Sequence, residues 1–149
     1  LFRDDWFLEM GARFRSDPVR DLDRRITVGA GLGQDIFLQS WRQLRVVAGP
    51  TLVRERIGAE DETSVAIAWT HDYEHDLLAG NVEFFHRLQV LSYLSGRENT
   101  VFDSSTGVSI DVFDDVYVNL QLDFNYETEP SPGNVNEDVT YRVGIGYEF

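Results

Sequence analysis

His71-Asp72-Tyr73-Glu74-His75-Asp76 gathers two imidazoles and three carboxylates in six residues, the types that bind metals or exchange protons. On an extended strand His71 and His75 share a face but stand about 13 Å apart, too far to ligate one ion unless a turn intervenes. Folding back at Leu77 to Gly80 would move only His75. The segment therefore reads as a solvated rim where a strand ends, with no metal and no cofactor assigned. A second pairing is His86 with Ser104, a base and a nucleophile on neighbouring strands. A turn centred near Arg97 sets His86 opposite Val108 or Ile110, which leaves Ser104 about 13 to 20 Å away along the sheet. No catalytic residue is assigned on that arithmetic.

A wider set of charges falls on one face of the expected strands: Glu9, Arg13, Arg45, Glu83, Arg87, Asp103, Asp111, Asp123, Arg142 and Glu148. Facing a lumen, they would form a selectivity lining or a salt-bridged plug. Eight strands enclose an interior that side chains fill, so the plug is the expectation. The acids of Glu60-Asp61-Glu62, Glu127, Glu129, Glu137 and Asp138 lack the ligand spacing of a calcium loop and read as a solvated acidic rim.

Period-2 alternation bounded by turn residues marks the elements that must hold these groups. Eight strands are predicted, at 6–15, 24–36, 42–56, 63–74, 80–94, 100–113, 116–127 and 138–149. The seventh is the clearest, with Val116, Val118, Leu120, Leu122, Phe124 and Tyr126 on one face and Tyr117, Asn119, Gln121, Asp123 and Asn125 on the other. The eighth sets Tyr141, Val143, Ile145, Tyr147 and Phe149 against Arg142, Gly144, Gly146 and Glu148. Gly29, Gly31 and Gly33 predict a crowded or sharply bent wall in the second strand, and Pro50 predicts a bulge or imperfect ladder in the third. The fifth and sixth strands carry His86 and Ser104 on their apolar face, which weakens their register. Short links are expected at Gln39 to Gln43, Leu77 to Gly80 and Asp114-Asp115. Longer ones are expected at Ser16 to Asp23, Gly58 to Glu62, Gly96 to Asn99 and Glu127 to Glu137.

In 149 residues there are 26 acids and 13 bases, a formal charge of −13 that repels phosphates and excludes nucleic acid partners. Every base is Arg, which fits an Arg-biased genome. Without Cys there is no disulfide framework or thiolate site. No apolar run approaches the ~20 residues of a spanning helix, so a helical membrane protein is excluded while strands remain free to cross.

Alternating strands also build soluble barrels, with the apolar face in a packed core. Here the other face carries Gly, Asn, Gln and Asp, which suit a narrow hydrated lumen, and the last strand stops on an aromatic. Tyr126 and Tyr141 at one rim, with Tyr73, Tyr147 and Phe149 at the other, form the expected aromatic girdles. The expectation is an all-β, antiparallel up-and-down transmembrane β-barrel in the outer membrane of a Gram-negative (diderm) bacterium. Its partners would be membrane lipid, lipopolysaccharide and the barrel-assembly machinery. The chain opens Leu1-Phe2-Arg3 with no initiator Met and no signal, so 1–149 reads as one barrel domain lacking its N-terminal strands and signal peptide.

Trp6 to Gly33, containing Asp21-Leu22-Asp23-Arg24 and Gly31-Leu32-Gly33, resembles the family of salt-induced outer-membrane proteins, a domain-of-unknown-function family. So do Ala48-Gly49-Pro50, the Tyr126 loop with Pro130 and Pro132, Asp138, and the ending Gly146-Tyr147-Glu148-Phe149. The resemblance implies an outer-membrane barrel of unassigned activity, with further strands ahead of Trp6 and a total of ten or twelve. The functional expectation is a non-enzymatic structural or envelope-stress protein. The alternatives are a passive small-solute channel, a membrane-embedded hydrolase or protease using His71 or His75, and a soluble β-barrel that binds an apolar ligand.

Overall fold

Alternation of apolar and polar residues leaves each segment one greasy and one polar face, and pairing such segments edge to edge merges the faces into two continuous surfaces. The computed structural model describes residues 5–17, 22–57, 60–96, 98–113, 115–130 and 134–147. They form β1 (Trp6–Asp17), β2 (Leu22–Gln39), β3 (Arg42–Ile57), β4 (Glu60–Leu77), β5 (Val82–Tyr93), β6 (Thr100–Phe113), β7 (Val116–Glu127) and β8 (Glu137–Tyr147). All eight lie in one sheet in chain order, each antiparallel to the next. The expected all-β meander is the fold the chain adopts, and no described helix is long and apolar enough to cross a membrane.

Side chains from distant strands meet on one face, so the sheet curls around that face. Arg15 on β1 donates to Asp103 on β6 at 3.0 Å and to Asn125 on β7 at 3.2 Å. Arg25 on β2 reaches Glu127 on β7 at 3.1 Å. Among the described residues, the edges of β1 and β8 are not hydrogen-bonded to each other. One end of the curl, here called the turn end, holds the ends of β2 and β3 at Gln39 and Arg42, of β4 and β5 at Leu77 and Val82, and of β6 and β7 at Phe113 and Val116. The other, the loop end, holds the ends of β3 and β4 at Ile57 and Glu60, of β5 and β6 at Tyr93 and Thr100, and of β7 and β8 at Glu127 and Glu137.

The enclosed face is crowded where it is built of glycine. A Cβ on Gly29 would stand 2.5 Å from Thr51, one on Gly33 2.3 Å from the Phe7 ring, and one on Gly49 2.1 Å from the Ala30 carbonyl oxygen. Gly29 and Gly33 leave room for the Thr51 and Phe7 side chains, and at Gly49 the β3 backbone itself approaches that of Ala30 and Gly31 on β2. Pro50 gives the imperfect ladder and not the bulge, since the β2–β3 pairing skips Ala30 and Gly31 opposite Pro50 and Gly49. The β3–β4 register runs unbroken through Pro50↔Ile67, and the β2–β3 register is unshifted on either side of it, from Gly29↔Thr51 to Leu32↔Ala48. The register shifts fall near strand ends instead, at Arg15/Asp17, Leu22/Arg24, Asp35/Phe37 and Asp111/Phe113.

β2 and β4 run past their expected bounds at both ends. β2 covers Leu22–Gln39 and β4 covers Glu60–Leu77, so the expected link of Gly58 to Glu62 shortens to 58–59, which lie outside the described residues. Backbone pairing continues past the last apolar outward residue, because the charged ends of β2, β3 and β4 pair side chains as well as backbones. Asp61 accepts from Arg24 at 3.1 Å and from Arg54 at 3.0 Å.

Candidate functional site

The pleat divides the hexapeptide that looked most chemical. Asp72 and Glu74 point inward and accept hydrogen bonds from Arg87 at 3.2 and 3.0 Å. His71, Tyr73 and His75 point outward, in line with Val65, Ile67 and Trp69. His75 Nδ1 bonds Tyr73 Oη at 3.0 Å and its ring lies 5.4 Å from Trp41. His71 neighbours His86 rather than His75, with ring centres 4.8 Å apart.

His86 and Ser104 stand closer together than the expected turn would place them. The β5–β6 hairpin sets His86 opposite Thr106 and Leu88 opposite Ser104, so Ser104 is one diagonal step from His86, not 13 to 20 Å away. The turn pivots one residue earlier than expected, at Gly96, whose φ of +77° is the left-handed conformation that glycine adopts without strain. His86 Nδ1 bonds Thr106 Oγ1 at 2.7 Å.

The enclosed face has two zones. Toward the loop end it is packed. Val53, Ala66, Leu91 and Val101 are buried there beneath a network in which Arg25 contacts both Glu55 and Glu127, while Tyr93 donates to Glu55 at 2.6 Å. Four strands meet in this network, and both Arg25 and Glu55 are only 5% exposed. Sequence reasoning missed Arg25, Glu55 and Tyr93, although inward parity with Thr27, Val53 and Leu91 marks them, and it placed Glu127 in a solvated rim, whereas Glu127 is mostly covered and paired with Arg25. Parity tells which face a side chain takes but not how deeply its neighbours cover it.

The middle of the face encloses a cavity of about 770 Å³, with Gly29, Gly31, Gly49 and Ala68 on one side and ionic groups on the other. The interior is therefore only partly plugged, because glycine and alanine on β2, β3 and β4 leave space that the opposing side chains do not fill. Of the predicted charges, Arg45, Arg87, Asp103, Asp123 and Arg142 take part in ion pairs here. Asp103 pairs with Arg15, Arg87 with Asp72 and Glu74, and Arg45 with Asp35 at 2.9 Å. Arg142 pairs with Asp123 at 2.9 Å, and Asp123 also accepts from Ser105 and Gln121. Arg13 reaches across to the Gln89 side-chain carbonyl. Glu9 lines the same cavity. Glu83 and Asp111 occupy the inward face near the turn end, and Glu148 lies outside the described residues.

The outer surface is the reverse. Leu8, Met10, Phe14, Leu52, Leu120, Val143 and Ile145 are all exposed. Of the predicted terminal strand, Tyr141, Val143, Ile145 and Tyr147 share this exposed face, and Phe149 lies outside the described residues. On β4 the apolar outward run from Val65 to Tyr73 spans about 26 Å of strand, and it stops at the loop end where Arg24, Arg54 and Asp61 pair.

Over residues 1–149 the chain matches the model of a family described as "Protein of unknown function, DUF481". The chain belongs to this family. No curated protein and no solved structure matches it. DUF481 membership agrees with the resemblance drawn from Trp6 to Gly33 and the terminal strand at the level of a domain of unknown function.

Proposed function

We propose that this DUF481 chain is a transmembrane β-barrel of the outer membrane of a diderm bacterium, with a non-enzymatic structural role in the envelope, including its response to salt stress. The observation that carries the reading is inverted polarity. The Arg25–Glu55 pair and the Asp123 carboxylate are buried on the enclosed face, while Val28, Leu52, Val65, Ile67, Trp69 and Leu120 of the interior strands stand exposed outside. Water favours the opposite arrangement at ~25 cal/mol for each Å² of apolar surface left exposed, whereas lipid favours this one. The outward run from Val65 to Tyr73 on β4 also approaches the roughly 9–11 residues that a tilted strand needs to cross a bilayer. A bilayer leaves no water for unpaired backbone groups, so membrane residence requires partners for the β1 and β8 edges. The non-enzymatic part of the reading rests on the hexapeptide, whose acids turn inward to Arg87 while its histidines turn outward.

Expression in a diderm host tests the reading. The protein is expected in washed outer membranes, released only by detergent, with different gel mobility before and after boiling. Recovery as a detergent-free soluble monomer would refute it. A deletion strain is expected to lose tolerance to high salt or to bile-type detergents; growth equal to the parent under both would remove the envelope role.

The cavity gives a second reading, a small-solute channel, a specific observation in its favour. The packed layer of Val53, Leu91, Val101 and the Arg25 network lies across the loop end and opposes free passage. Planar bilayers holding the protein are therefore expected to stay silent, and stepwise conductance would favour the channel.

A further inference from the structure

We propose that His71 and His86 form a two-histidine site for a borderline transition-metal ion, with zinc, nickel or copper(II) as the fitting class. A ligating imidazole places its ring centre about 3.2 Å from the metal, the Zn–N bond of about 2.0–2.1 Å plus half the ring. Two such rings at near-tetrahedral to right angles have centres about 4.5–5.2 Å apart. The centres of His71 and His86 are 4.8 Å apart, and the planes are tilted by 43°, not stacked. The register explains the match, since His71 opposes Leu88 and His86 opposes Tyr73, which makes the two histidines diagonal neighbours on one face of adjacent antiparallel strands.

A second observation concerns the other nitrogen of His86. Its Nδ1 bonds Thr106 Oγ1 at 2.7 Å. With the proton on Nδ1, His86 donates to Thr106 and the Nε2 lone pair is left for a ligand, the arrangement that fixes tautomer and orientation in metal sites. His71 meets its neighbours among the described residues through ring contacts alone, with Trp69 5.6 Å away on its other side. His75 is different, because its Nδ1 is already bonded to Tyr73 Oη. His71 is one outward step from Tyr73, the last residue of the outward run on β4, and His86 opposes Tyr73, so the pair stands at the turn-end margin of the band. An ionisable side chain there is costly without a role, and chelation gives these two one. The ring geometry is the same whether lipid or water meets this face.

The folded chain in detergent micelles, titrated with zinc chloride by calorimetry at pH 7.5, is expected to bind one ion per chain. His71→Ala and His86→Ala should each weaken binding at least tenfold, and His75→Ala should leave it unchanged. Thr106→Val should weaken it by roughly tenfold by freeing the His86 ring, with both histidines still present. Circular dichroism and heat-dependent gel mobility verify that each variant is folded, and His71→Gln and His86→Gln replace any alanine variant that is not. Absence of binding to the folded chain, or equal affinity in the His71→Ala/His86→Ala double variant, would overturn the site. Neither result bears on the outer-membrane reading, whose own test is detergent-dependent recovery from membranes.

Discussion

Arg25 and Glu55 are cross-strand partners on β2 and β3 whose charged ends contact each other on the enclosed face of the sheet. Burial removes both from water, and Glu127 and Tyr93 complete their contacts from β7 and β5. Removing Arg25 leaves Glu55 and Glu127 without their counter-charge, at a cost of about 3–5 kcal/mol. Arg25→Met is accordingly expected to lose about that much in urea unfolding in lipid vesicles. An Arg25→Met/Glu55→Leu double variant should lose less than Arg25→Met alone, because the more deeply buried of the two orphaned carboxylates is gone. Tyr93→Phe, which deletes one hydrogen bond to a carboxylate, should cost about 1.5–3 kcal/mol.

How much of this was legible in the sequence depends on what alternation encodes. The faces of β7 and β8 were readable residue by residue, since Val116 to Tyr126 and Tyr141 to Tyr147 never break period 2. Strand ends were not, because Arg24, Arg54 and Asp61 carry the outward positions past the apolar band and hold the ladder with ion pairs. Depth was also hidden. Arg45 and Glu55 are both inward on β3, yet Glu55 is covered by Tyr93 and Arg25, while Arg45 faces the space left by small residues. The His86–Thr106 contact was lost to a one-residue error in the pivot of a single turn, and Gly96 was the available signal.

The glycines make a paired prediction. A methyl at Gly49 would collide with the backbone of Ala30 and Gly31, which cannot move without opening β2 from β3. Gly49→Ala should cost about 1–3 kcal/mol and reduce the folded yield in a refolding assay read by gel mobility. Gly144 on β8 has nothing within 4 Å of its would-be Cβ, so Gly144→Ala should stay within about 0.5 kcal/mol of wild type.

Asp61 lies at the loop-end rim, beyond the apolar band, where the hydrogen bond from Arg54, that residue's charge and Arg24 hold its carboxyl below the ordinary range. A depressed folded value means that the pair stabilises fully above the unfolded carboxylate value of about 3.9, and that this contribution fades as pH falls through the lower folded value. Wild type should therefore exceed Asp61→Asn in urea midpoint at pH 7, by a small margin because the pair is exposed, and the gap should close as pH falls through the lowered folded value. A gap that widened on acidification would show that another group governs the rim.

Leu120 offers the sharpest test of which solvent meets the outer surface. It sits mid-strand on β7, outward and 46% exposed, between Val118 and Leu122 on the same face. At a water-facing strand position an arginine substitution changes stability by no more than about 0.5 kcal/mol, because the side chain stays hydrated. At the middle of a lipid-facing strand the same substitution costs about 2–4 kcal/mol, since the guanidinium must draw water or headgroups toward it. Leu120→Arg is therefore expected to lower the unfolding free energy in phospholipid vesicles by the larger amount. Equal stabilities for Leu120→Arg and wild type would mean that this leucine is wet, and the inverted polarity of the sheet would then need an explanation other than a membrane.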